Sequence, residues 1–300
     1  MKILITGAKG TLGKILMAEL KARGHSVFGC DMSHGEDVNY ARCNVAEYRQ
    51  ILNILEEGYD VVYHLAAEFG RINGEHYYEQ LWNNNVIATR HILEIQKKLR
   101  FRMVMASSSE IYGDIKADFL KEDMKPEPQL NDYAISKWVN EVQCRNFIKR
   151  HNNQIMVLRF FNAYGPGEFY SPYRSVVCLF CYRALHGLSY DVYDNYHRVF
   201  MYMDDFIPTL ANCCTNFHAG EIINIGGEEY RPVKDVSDLI LKNLGMNDRI
   251  VRYLPEDKHN LTNKRPDITK AKALLNHDPK IKLEEGIIKT IEWMKGVYKC

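Results

Sequence analysis

The 300-residue chain has no uninterrupted apolar run long enough to span a bilayer, which excludes a helical membrane protein. It has no charge excess: 39 basic and 38 acidic residues leave a formal net charge of +1. No bulk field therefore draws it to nucleic acid or to an anionic membrane, and any anionic ligand must be held by local groups. No charged-then-apolar leader is expected, since the first residues enter a strand pattern at once. Repeats, low-complexity runs and flexible linkers are missing too, which predicts lobes packed tightly on one another. The eight cysteines do not frame a small scaffold; they are scattered through core-like segments, as free thiols in a reducing cytoplasm would be. Cys178 and Cys181 have C-x-x-C spacing, but no second pair or nearby histidine completes a zinc site, so no metal is expected.

What is present is an alternation of strand and helix patterns. Residues 2–6 are a short β-branched run ending at Gly7, as in a buried parallel strand. Residues 11–23 have helical spacing and stop at Gly24, and 25–30 predict the next strand. Apolar runs at 59–65 and 101–106, a long helix over 76–99, another over 132–150 and a strand at 155–160 follow. The predicted fold class is α/β: a Rossmann-type, doubly wound parallel sheet with right-handed crossovers. Residues 1–165, with parts of 198–228, are expected to form this domain. After Gly165-Pro166-Gly167 the texture changes, and eight of the 19 tyrosines fall between Tyr164 and Tyr202. Residues 166–300 are expected to form a smaller, interleaved C-terminal substrate lobe. It should contain a strand at 221–225 and helices near 232–244 and 284–296.

Two motifs carry chemistry. Gly7-Ala8-Lys9-Gly10-Thr11-Leu12-Gly13 follows the first strand and opens a helix. Its glycines allow a sharp turn, close backbone approach to a pyrophosphate and helix-on-strand packing, with the helix N-terminus facing the phosphates. Asp31 ends the second strand, 18 residues after Gly13. A carboxylate there accepts from both ribose hydroxyls of an adenosine and repels a 2′-phosphate, which favours NAD over NADP. The second motif is Tyr133-Ala134-Ile135-Ser136-Lys137. Tyr133 and Lys137 are i, i+4 on a helix and share a face. An ammonium beside a phenol is expected to lower the phenol's pKa from about 10 towards neutrality, making a base for a substrate hydroxyl.

With these motifs in register, the chain resembles the extended short-chain dehydrogenase/reductase family, the NAD-dependent nucleotide-sugar epimerases and dehydratases. The match extends through His64-Leu65-Ala66-Ala67, Asn85, Ser107 to Gly113, Arg159 to Pro166, Arg198 to Asp205, Asn224-Ile225-Gly226 and Lys264 to Ile268. The resemblance implies that Ser108 shares the substrate's 4-hydroxyl with Tyr133. It places Leu65, Ala66, Ala67, Asn85 and Phe160 around NAD, and Asn44 and Val45 at the adenine. It assigns Asn162, Arg198 and Arg265 to the substrate, Asn162 and Arg198 at its diphosphate, where a guanidinium grips phosphate bidentately. The substrate it implies is a nucleoside-diphosphate sugar. The hydride is then a loan, since NAD is reduced and reoxidised within one turnover.

The reaction type turns on Glu110, two residues before Tyr112. The resembling dehydratases and glucuronate decarboxylases carry glutamate here, whereas simple 4-epimerases tend to a small neutral residue. Once C4 is oxidised, the C5 proton is α to a ketone, and a nearby carboxylate can remove it. The expectation is therefore a 4,6-dehydratase-type reaction with Glu110 as base. The alternatives are an epimerase at C4 or at C3/C5, a UDP-glucuronate decarboxylase, and a non-catalytic NAD-binding protein. Decarboxylases carry an arginine two residues before the Pro-Asp-Ile, where this chain has Lys264, a departure that counts against them. Epimerase relatives pair through two long helices matching 76–99 and 132–150, so a homodimer is expected.

Overall fold

The computed structural model describes residues 1–193, 195–255 and 263–299. Its centre is one parallel sheet of seven strands. Six are β1 (Lys2–Thr6), β2 (Ser26–Asp31), β3 (Tyr40–Arg42), β4 (Val61–His64), β5 (Arg102–Ser108) and β6 (Ile155–Phe160). The seventh, Ile222–Ile225, pairs with β6 at one edge, and the order runs from it through β6, β5, β4, β1 and β2 to β3. The order reverses between β1 and β4, where a crevice opens outside the carboxyl ends of the strands.

Both faces of the sheet are covered, which explains the continuous apolar strands. Alternation along β1 sends Ile3 and Ile5 to one core, with Tyr63, Val104 and Leu158. Leu4 goes to the opposite core with Val62, Met103 and Met105. A third apolar cluster joins the helices Val176–Leu185, Val233–Leu244 and Leu283–Tyr298. Cys178 and Cys181 are buried in it as free thiols. Between these segments the chain returns to the sheet. The helix Met203–Asn212 puts Phe206, Ile207 and Leu210 into the first core.

One expected helix differs. Residues 76–99 are not a single helix: the segment reads Arg71–His76, Tyr78–Leu81, a π-helical turn Trp82–Ile87, and then Ala88–Leu99. The π turn holds Asn83-Asn84-Asn85, weak helix formers, and turns Asn85 inward. Asn85 Nδ2 donates to Ser136 Oγ (2.9 Å) and to the Glu68 carbonyl (3.0 Å), and its Oδ1 accepts from Glu68 N (2.8 Å).

A buried network fixes the strand ends below the crevice. Arg159 on β6 donates through Nε and Nη2 to Glu141 of the helix Asp132–His151, at 2.9 and 2.8 Å. Ser107 on β5 donates to the same carboxylate at 2.6 Å. Arg159 Nη1 donates to the Tyr112 hydroxyl, which donates to Asn224 Oδ1 on the edge strand, both at 2.8 Å. Removing one partner strands the other charge in a dry interior. Arg159→Met is expected to cost about 3–5 kcal/mol of unfolding free energy, read as a lower urea midpoint at unchanged slope. A loss under about 1 kcal/mol would show that the network does not support the sheet.

Candidate active site

A cavity of about 490 Å³ lies over the carboxyl ends of β1 and β4. Gly7, Gly10, Thr11, Leu12 and Gly13 form one wall, and Leu65, Ala66 and Ala67 another. Gly7 has φ 73°, and a Cβ on it would lie 2.7 Å from Ala66 N. A Cβ on Gly13 would lie 2.2 Å from the Gly7 carbonyl oxygen. The turn therefore presents bare backbone to the cavity. The helix Thr11–Ala22 that follows has no side chain capping its first amides, which leaves them for an anion. At the other end Asp31 reaches the cavity from the end of β2, accepting from Lys9 N (3.0 Å) and Ser33 N (3.1 Å). Donors for a pyrophosphate and an acceptor for ribose hydroxyls are thus spaced along one trough, and these residues fit a dinucleotide.

Val45 and Phe160 line the same cavity, together with Met32 and Cys43, which sequence reasoning missed. Two expected residues are placed elsewhere. Asn44 is not on the wall: its Oδ1 accepts from Ala46 N (3.0 Å), a local turn leading towards the helix Tyr48–Leu55. Asn85 is not on the wall either. Its amide ties the loop at Glu68 to Ser136, one residue from the lysine of the second motif, so it acts on the cavity through that loop.

Tyr133, Lys137 and Ser108 all line the cavity. Asn131 caps their helix by accepting from Ala134 N (2.9 Å), which sets the first turn against the end of β5. Lys137 Nζ donates to the Ala106 carbonyl (2.9 Å) and lies 5.9 Å from the Tyr133 ring centroid. Burial brings Lys137 down to about 8. The phenol departs from expectation: burial pushes Tyr133 up to about 12, against the pull of its hydrogen bond with Ser108. With the ammonium turned to Ala106, the cost of a dry phenolate prevails. Below them His64 is pinned between Thr6 Oγ1 (2.9 Å) and Thr89 Oγ1 (3.1 Å). Burial, and then the charge of Lys137, bring it down to about 3, so it is neutral.

A second cavity of about 590 Å³ adjoins the first. Gly70, Arg71, Glu110, Asn162, Arg174 and Ser175 line both. Asn162 takes φ 32°, a left-handed conformation asparagine tolerates, and donates to the Val199 carbonyl (3.1 Å). Arg198 enters the second cavity, buried, with Nη1 donating to the His197 carbonyl (2.8 Å) and its guanidinium 5.3 Å from the Tyr196 ring. Tyr190, Tyr193 and Tyr196 of the tyrosine-rich stretch line it as well.

Arg265 does not reach this cavity. Its guanidinium lies over Phe119, 4.2 Å from the ring centroid, in a separate hollow. Lys264 takes the place in the substrate cavity. Neighbours along an extended segment point to opposite sides, so only one of two adjacent cations can enter. Lys264 Nζ forms an ion pair and hydrogen bond with Glu110 Oε1. Burial opposes ionisation of Glu110, but Lys264, and then Arg198, outweigh it and hold the carboxyl below its ordinary value. Burial brings Lys264 down to about 8, although Glu110 pulls the other way.

The family described as NAD dependent epimerase/dehydratase matches residues 3–226. The chain belongs to this family. It is an NAD-dependent enzyme among the nucleotide-sugar epimerases, decarboxylases and dehydratases. UDP-N-acetyl-alpha-D-glucosaminuronate decarboxylase of Bacillus cytotoxicus is 29% identical over 316 residues, covering 99% of this chain and 98% of that protein. UDP-glucuronic acid decarboxylase 1 of Danio rerio is 31% identical over 304 residues, covering 97% of this chain and 72% of that protein. Among solved structures, UDP-glucuronic acid 4-epimerase from Bacillus cereus, in complex with UDP-glucuronic acid and NAD, superposes with a TM-score of 0.90. It is 27% identical and covers 99% of this chain and 100% of that one. Among the described residues no helix is long and apolar enough to cross a membrane.

For this epimerase/dehydratase family member the tight turn is the direct test of the cofactor cavity. Gly13→Ala puts a methyl group against the Gly7 carbonyl, which is backbone and cannot step aside. NAD affinity is expected to fall at least about tenfold in a fluorescence titration, the loss of one charge-assisted contact to phosphate. Unchanged affinity would show that the pyrophosphate does not sit on this turn.

Proposed function

We propose that the protein decarboxylates a nucleoside-diphosphate hexuronate through transient oxidation at C4. The observation that carries this reading is the Glu110–Lys264 pair at the sugar end of the cleft. A ketone at C4 turns the C6 carboxylate into a β-keto acid, which loses CO2 and leaves an enolate that needs a proton at C5. Lys264, brought down to about 8, is an ammonium ready to give that proton near neutral pH. A 4,6-dehydratase instead asks Glu110 to remove the C5 proton, and a carboxylate paired with a lysine and held below its ordinary value is a weak base. Both decarboxylase relatives act, by their names, on UDP-linked uronates.

The remaining roles follow from placement. When bound, NAD supplies the hydride acceptor and donor, and its charged nicotinamide opposes the upward push on the Tyr133 phenol. Tyr133 takes the proton of the 4-hydroxyl, with Ser108 bonded to the same oxygen, and later returns it. Lys137 holds positive charge beside the phenol. As the C5–C6 bond breaks, its electron pair passes into the C4–C5 enolate, and Lys264 then protonates C5. Gly7, Gly10, Thr11, Leu12 and Gly13 hold the pyrophosphate of NAD, Asp31 its ribose, and Val45 its adenine. Leu65, Ala66, Ala67 and Phe160 form the cofactor walls, while Asn162 and Arg198 hold the substrate diphosphate. The seven described cysteines are free and buried, in keeping with the reducing cytoplasm we propose as its compartment. Ile135 and Val142, exposed on the helix Asp132–His151, support a homodimer packed through that helix.

A second reading, 4-epimerisation of the same hexuronate, rests on the likeness to the UDP-glucuronic acid 4-epimerase structure. Incubation of the NAD-loaded enzyme with UDP-glucuronate, and separately with UDP-glucose, followed by mass spectrometry and NMR, separates the outcomes. Loss of CO2 is expected. An unchanged mass with altered sugar couplings would establish the epimerase, and loss of water from a hexose substrate the dehydratase.

The two lysines also give a pH signature. Ammonium forms are present below about 8 and lost above it, so kcat/KM should fall on the alkaline side with the loss of two protons. Lys264→Met removes both the charge and the ready proton. It should lower kcat/KM by about a hundredfold and leave an alkaline limb that depends on one proton. An unaltered limb would remove Lys264 from the chemistry.

A further inference from the structure

The side chain of Asn131 has two polar ends, and helix capping uses one of them. Its Oδ1 accepts from Ala134 N (2.9 Å) at the start of the helix Asp132–His151. An amide nitrogen cannot accept that bond, so the orientation is fixed and Nδ2 points the other way. Nδ2 is buried and has no hydrogen-bond partner among the described residues. A cap needs only an oxygen, which serine or aspartate supplies without a spare buried donor. An orphaned donor on a residue 7% exposed is costly and calls for a reason.

The reason lies in the neighbouring turn. Residues 127–131 run back along the turn Ser109–Tyr112. Glu127 N donates to the Tyr112 carbonyl (3.0 Å), and Gln129 Nε2 donates to the Ile111 carbonyl (3.1 Å). One step further along, Asn131 comes beside Glu110. Burial pushes the Glu110 carboxyl up, while Lys264, Arg198 and the Asn131 amide hold it down. Nδ2 therefore stands near a carboxylate whose Oε1 is already taken by Lys264. Also facing Glu110 are Tyr133 from the helix, and Arg71 and Arg174 from the wall the two cavities share. Asn131 itself is on the wall of neither cavity, so it acts through Glu110.

In the proposed reaction Lys264 gives its proton to C5 and becomes a neutral amine. Glu110 then loses its counter-ion in a dry place, where an unpaired carboxylate is costly. A neutral donor beside it keeps it in position until the lysine is charged again. We infer that Asn131 is a positioning residue: its spare N–H is reserved for Glu110 and keeps that carboxylate facing Lys264 while the lysine spends and regains its proton. The role in turnover rests on the decarboxylase reading above, whereas the bond to Glu110 does not.

The test separates the two ends of the side chain. Asn131→Ser and Asn131→Asp keep an oxygen for Ala134 N and lose the donor, so the urea midpoint should stay at the wild-type value. In the NAD-loaded protein the Glu110 carboxyl is followed by carbon-13 NMR, its signal assigned by its loss in Glu110→Gln. Its titration midpoint should rise by about one pH unit in Asn131→Ser, the loss of one hydrogen bond to a charged group. Asn131→Asp should raise it at least as far. A carboxylate that protonates earlier on acidification is lost at higher pH, so the acid limb of kcat/KM for CO2 release should move up equally. An unmoved Glu110 midpoint in both variants would make Asn131 a helix cap and overturn the inference, whatever the urea midpoint does. A moved carboxyl with an unmoved acid limb would overturn the role in turnover. A wild type that releases no CO2 from UDP-glucuronate would sink the decarboxylase reading, and the carboxyl titration would still decide whether Asn131 serves Glu110.

Discussion

The site rests on one buried ion pair. Arg159 and Glu141 face each other in the dry interior beneath the crevice, and the hydroxyls bonded to them come from other pieces of chain. Ser107 precedes Ser108, Tyr112 closes the turn that bears Glu110, and Asn224 sits on the edge strand. Glu141 is on the helix of Tyr133 and Lys137, one turn beyond the lysine. A buried pair of this kind contributes little net stability when compared with apolar packing. Its value here is geometric: the hydroxyl, the phenol and the carboxyl are referred to a common rigid point, as preorganised chemistry requires.

The parts legible in the sequence are those that follow from backbone rules. A β-branched run, a glycine turn and a helix start recur wherever a dinucleotide meets a parallel sheet, and Gly7 to Gly13 reads the same way in both sequence and structure. The pairing of Tyr133 with Lys137 is likewise a matter of helical period. What stayed hidden depends on three-dimensional side-chain choices. Arg265 and Lys264 are neighbours, and only the direction of a short strand decides which enters the cleft. Asn44 looked like an adenine contact and spends its oxygen on a local turn. The ammonium of Lys137 lies close enough to influence Tyr133, yet its hydrogen bond goes to Ala106.

Charge explains why the family motifs leave the reaction open. In the function proposed above, the glycine turn and the tyrosine–lysine pair handle the cofactor and the C4 hydroxyl, which dehydratases, epimerases and decarboxylases share. On the reading proposed above, the outcome is decided where the two cavities meet, at the pair Glu110 and Lys264. A lone carboxylate would be a base, and a lone buried lysine would shed its proton. Paired, they keep an acid and its counter-ion together in the cleft.

The π-helical turn Trp82–Ile87 has a consequence for chain length. Such a turn carries one residue more than an α-helix needs, and each residue rotates a helix by about 100°. Deleting any one residue in this stretch would return the helix to ordinary winding and swing Asn85 off the Glu68 loop it now holds. The length of the segment is thus fixed by one asparagine: shortening it unfastens the loop at Glu68, which lines the cofactor cavity.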